Sequence, residues 1–218
     1  MYCYFFIMIL VLFTVCYGLV PLLLFFLWKK KFSSEAKSFF PFTLLVFIAS
    51  LYELIGSIFL RISVKYWFTV YNILIFTVVF HLFYKILKQK YKMLFVLFLM
   101  LFIFICIYIS LNYAFEDVLE FNPYFKGFQT LFILTFSILW FRNLFSEMIS
   151  KTLLNEPVFY LISGLILYYC GTFFLFLLGN VMYLNDEDSF HDSWIINVVL
   201  NIILRTLLIL TLWKTRLK

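Results

Sequence analysis

Seven apolar runs take up most of this chain, each near or above the roughly 20 residues that cross a bilayer core as a helix. They fall at 4–28, 39–60, 66–87, 93–112, 124–145, 158–183 and 194–213. With 66% of the 218 residues apolar and 13% charged, the chain has too little polar surface to cover such a core in water. The gaps between runs are too short for an appended soluble domain. The expected fold is therefore all-α: one integral membrane domain, 1–218, a bundle of seven transmembrane helices.

Basic residues collect on the cytoplasmic side of membrane proteins. Here thirteen of the 17 lie in alternate linkers and the tail: Lys29, Lys30, Lys31 and Lys37; Lys85, Lys88, Lys90 and Lys92; Arg142 and Lys151; Lys214, Arg216 and Lys218. The opposite linkers hold Arg61, Lys65 and Lys126, with Glu116, Asp117, Glu120, Asp186, Glu187, Asp188 and Asp192. This places the N-terminus outside and the C-terminus in the cytoplasm. The net charge of +6 is spread over short clusters rather than one basic face, which argues against nucleic acid as a partner. Trp28, Trp67, Trp140, Trp194 and Trp213 all fall near run ends, as expected of indoles seated at the headgroups.

Signatures of chemistry are sparse. Cys3, Cys16, Cys106 and Cys170 form no C-x-x-C pair and read as packing residues. The stretch "NDEDSFHD" lacks the spacing of a calcium loop and reads as a solvated acidic loop, so no metal site is assigned. No glycine-rich phosphate loop or H-E-x-x-H occurs, and His81 lies too near a helix end to serve Ser57 or Ser163 as a base. No catalytic residue and no cofactor is assigned, and the chain is not read as an enzyme.

Two linkers share a pattern: "LWKKKFSSEAKSFFPF" and "LWFRNLFSEMISKTLLNEPVF" each give Leu-Trp, basic residues, Phe-Ser, a Glu and then a Pro. They suggest an internal repeat of three helices, a linker helix and three more. That arrangement, with Pro21, Pro41, Pro123 and Pro157 in or at the ends of helices one, two, five and six, resembles the small sugar carriers of the three-plus-one-plus-three type. The stretch "NEPVFYLISGLILYYCGTFFLF" resembles small seven-helix proteins of bacteria similar to the membrane sensor modules of histidine-kinase systems. This second resemblance implies a bacterial inner membrane location, signalling and a cytoplasmic or membrane partner protein.

The run "NVVLNIILRTLL" spaces Asn197, Asn201 and Arg205 four residues apart, one face of a helix. Counted at 1.5 Å per residue from the cytoplasmic ends, Glu53, Asn72, Gln129 and Asn201 lie roughly 18 to 20 Å deep and Arg205 about 14 Å. One midplane layer thus gathers Glu53, Asn72, Gln129, Asn197, Asn201 and Arg205 as candidate ligand-binding residues. Charges at that depth cost at least about 2.5 to 3.5 kcal/mol each against lipid, so an ion pair between Glu53 and Arg205 is expected. Tyr168, Tyr169, Phe173 and Phe174 are candidates to line a pocket there. Two readings of the layer stay open: interhelical packing contacts, or a site for a small ligand or proton. The expected function is a ligand-sensing or signalling subunit; a small-solute carrier and a structural partner subunit are the alternatives.

Overall fold

The computed structural model describes residues 2–28, 36–60, 64–87, 90–114, 118–146, 153–185 and 187–216. They form seven long helices and, among the described residues, no strand. Helix α1 spans Tyr2–Trp28; α2 spans Ala36–Leu51 and runs on as a π-helical segment, Tyr52–Phe59; α3 spans Val64–Ile86. Helix α4 spans Lys92–Asn112, α5 Val118–Ser146, α6 Pro157–Asn185 and α7 Glu187–Arg216. All seven are long and apolar enough to cross a membrane.

Helix α1 packs on α2 and α7, α2 on α3, α3 on α5, α5 on α6 and α6 on α7. Six helices thus close a circuit, and α4 lies outside it against α5 and, through aromatic contacts, α3. Two helices start more than a turn earlier than their apolar runs, α5 at Val118 rather than 124 and α7 at Glu187 rather than 194. Hydropathy ends where charged residues begin, whereas an established helix adds residues at little cost. Acidic residues also suit the positive N-terminal end of a helix dipole. The expected acidic loop is therefore helical from Glu187 onward, while Asp186 lies outside the described residues. Pro123 likewise stands inside α5.

Within one continuous core, an aromatic wedge joins α3, α4 and α5. Phe76 stacks on Phe102 at 3.8 Å and Phe95 on Phe136 at 4.1 Å. Phe132 sits between them, within 5.4 Å of the Phe98 ring and 5.2 Å of the Phe76 ring. In a bilayer, lipid tails would be as apolar as these side chains, so water exclusion alone would not hold α4 in place. Interlocking ring geometry does, at roughly 0.5–1.5 kcal/mol per pair beyond simple burial. Cys16 and Cys170, expected in packing roles, are exposed on the bundle surface, since each falls on the outward face of its helix. Cys3 has no described side chain.

Candidate functional site

A cavity of about 240 Å³ lies inside the six-helix circuit, lined from α1, α2 with its π-helical extension, α3, α5, α6 and α7 but not from α4. Its walls come from early α3 (Trp67, Tyr71), early α5 (Lys126), later α6 (Tyr168, Tyr169, Phe176) and α7 from Trp194 to Arg205. It therefore occupies the half of the bundle in which α2 turns into α3 and α6 into α7.

The structure divides the six candidate residues into two groups. Glu53, Asn197, Asn201 and Arg205 line the cavity. Asn72 and Gln129 do not: the Asn72 side-chain amide donates to Asn122 Oδ1 at 3.1 Å, and Gln129 Nε2 donates to the Asn72 carbonyl at 2.9 Å. These two amides stitch α3 to α5. Equal depth brought them to the level of the cavity, but their side chains are taken up by the α3–α5 contact beside it.

On the α7 wall, Asn201 Nδ2 donates to the Asn197 carbonyl at 3.1 Å and to its Oδ1 at 3.3 Å. Tyr168 Oη of α6 donates to the same Oδ1 at 3.1 Å. A turn further on, Arg205 is 6% exposed and its Nη1 donates to the Thr14 carbonyl of α1. The guanidinium reaches α1 because residue 18 is glycine. A Cβ there would lie 2.8 Å from Arg205 Cζ and Nη1 and would overlap Ser50 Oγ of α2. Three helices meet over that missing side chain.

Glu53 stands in the π-helical segment after α2, where the wider turn re-aims the side chains; such segments recur at functional sites. The expected Glu53–Arg205 ion pair is not formed. Both side chains line the cavity and each feels the other's charge, but no direct salt bridge joins them among the described residues. The carbonyl exposed beside Gly18 takes the guanidinium instead.

Lys126 belongs to the site although its sequence position reads as an outer linker. It is 4% exposed, inside α5. Its ammonium lies over the rings of Phe176 at 4.9 Å, Tyr169 at 5.5 Å and Tyr71 at 6.0 Å. The signal was present: Asn122, Lys126 and Gln129 recur at spacings of four and three, a helical face that continues beyond the apolar run. Trp67 and Trp194, expected at the headgroups, line the cavity; Trp67 stacks on Tyr52 at 4.7 Å and Trp194 meets Phe176 edge-on at 5.8 Å. Of the expected aromatic stripe, Tyr168 and Tyr169 line the cavity, whereas Phe174 is exposed on the outside of the bundle.

No family model, curated protein or solved structure matches the chain. The site is read from its own chemistry: two cations and one carboxylate in an aromatic box with a ladder of amides.

Proposed function

We propose that this protein is a multi-pass membrane receptor subunit that binds a small ligand in the cavity and passes the event to a partner protein. The cavity itself carries the reading: Glu53, Lys126 and Arg205 converge with Asn197 and Asn201 inside the circuit of helices, where ionisable side chains are costly unless they serve a purpose. In the orientation favoured by the basic linkers, with the N-terminus outside, the cavity lies in the outer half. Below it, Phe39, Leu161, Ile162, Leu208 and Leu212, each no more than 1% exposed, close the cytoplasmic half. A site backed by packed apolar residues toward the cytoplasm suits detection of a ligand from outside a bacterial inner membrane.

The carrier reading has one observation in its favour. Helices α1–α2–α3 and α5–α6–α7 each pack in chain order, with α4 set aside from them, an arrangement compatible with three helices, a linker and three more. Glu53 is then the group that exchanges a proton.

The test is gentle detergent extraction followed by mass spectrometry of co-purifying proteins and small molecules. The receptor reading expects a signalling partner and a small molecule, the latter lost in Asn201→Leu. Uptake of that molecule by liposomes holding the protein alone would favour the carrier, and a partner without any small molecule would leave a structural subunit. Thiol labelling fixes the side: after removal of native cysteines, Asp188→Cys labels in intact cells and Lys30→Cys does not.

A further inference from the structure

Lys126 carries an inference that rests on the receptor reading and narrows its ligand. Among the described residues, two basic groups and one carboxyl group line the cavity, Lys126 and Arg205 against Glu53. Arg205 already has an acceptor in the Thr14 carbonyl and lies in the field of Glu53. The surplus positive charge is therefore that of Lys126, whose ammonium makes no hydrogen bond or ion pair among the described residues and lies over three rings. Its surroundings are ring faces, which attract an ammonium through their quadrupoles but accept none of its three N–H donors in an ordinary hydrogen bond. The ammonium nitrogen is not among the fully enclosed polar atoms that lack a partner, so it opens onto the cavity, where an anion supplies the acceptor that the aromatic wall lacks.

We infer that the cavity takes a small organic anion, a carboxylate on an apolar body, with the carboxylate received by Lys126 and the body held among Trp67, Tyr71, Tyr169, Phe176 and Trp194. Among the described lining residues the cations outnumber the carboxyl group, which favours an anionic ligand. Cations meet Lys126 and Arg205 unfavourably. The space of about 240 Å³ falls just below the roughly 300–1,000 Å³ of pockets that hold drug-sized ligands, a size that suits a free small acid. Asn201 and the Tyr168 hydroxyl stand where polar substituents on the body can be read.

Purified protein in a neutral detergent is melted at constant ionic strength with acetate, butyrate, octanoate and phenylacetate, and with phenylacetamide, phenethylamine and phenylalanine as neutral, cationic and zwitterionic counterparts. At least one longer or aromatic carboxylate is expected to raise the Tm by several degrees, with its amide and amine inert. Lys126→Met removes that rise, Lys126→Arg retains part of it, and Asn72→Leu, outside the cavity, retains all of it. An equal rise with phenylacetamide, phenethylamine or phenylalanine, abolished by Asn201→Leu, overturns the anion assignment while the ligand-binding cavity stands. A carboxylate response unchanged in Lys126→Met also overturns it. If no compound moves the Tm and no small molecule co-purifies, the receptor reading falls with it. Should Lys126→Met fail to fold, titration calorimetry of the unaltered protein with phenylacetate against phenylacetamide decides by the same criterion.

Discussion

Helices α3 and α5 each border two spaces, and the two are filled in opposite ways. On the side of α4, Phe76, Phe132 and Phe136 lock into Phe95, Phe98 and Phe102 without leaving room. On the other side, Tyr71 and Lys126 face a cavity. Neighbouring residues of α5 make the contrast: Phe125 packs toward Phe102 at 6.0 Å, while Lys126 lies over the rings of the cavity wall. Between the two spaces runs the amide seam of Asn72, Asn122 and Gln129. In a bilayer, apolar side chains gain little from being buried in protein rather than lipid, so a space closes only where shapes interlock. Charged groups do not close a space in that way. They need partners, and a volume lined by them stays open to whatever supplies those partners.

The comparison can be broken most sharply in the wedge. Phe136→Ala removes a fully buried ring that stacks on Phe95 and should cost about 3–5 kcal/mol, read as a fall in the melting temperature in detergent, with ligand response intact below the melt. A loss well under 1 kcal/mol would mean that α4 is held by something other than ring packing. The next largest effect belongs to Gly18→Ala, where the new methyl meets Ser50 and the Arg205 guanidinium. Overpacking of this kind costs about 1–3 kcal/mol, and displacing Arg205 from Thr14 should also weaken ligand response. An unchanged melt with unchanged response would show that α1 gives way freely at this point.

A smaller effect is expected from the Glu53→Gln and Arg205→Met double-mutant cycle. Two charges that share a cavity without touching should couple by about 0.5–1 kcal/mol, against the 3–5 kcal/mol lost when one partner of a direct buried pair is removed. A coupling above 3 kcal/mol would mean that the pair closes in solution. The smallest change is Asn72→Leu, which breaks one side-chain contact of the seam at about 0.6 kcal/mol and should leave ligand response untouched. A lost response there would join the seam to the cavity.

How much of this was legible beforehand differs from residue to residue. Asn197, Asn201 and Arg205 were correctly read as one inward stripe, because a spacing of four is a property of any helix. Asn72 and Gln129 were grouped with them by depth, and depth along a helix says nothing about which way the side chain turns. Lys126 stands just inside the run 124–145 but reads as part of the outer linker because it is charged and near the run's start, and the nearness of Trp67 and Trp194 to run ends bears on their level, not on the direction of their side chains.

The sequence by itself determined that seven helices form and that they are long and apolar enough for a membrane, since length and hydropathy are local properties that no neighbour can undo. Only the tertiary structure decided that α4 stands outside the circuit, that Arg205 turns to Thr14 rather than to Glu53, and that the Lys126 ammonium lies over the rings of Phe176, Tyr169 and Tyr71. Those outcomes depend on where one helix surface leaves room for another, as at Gly18, and that room exists only once the helices have packed.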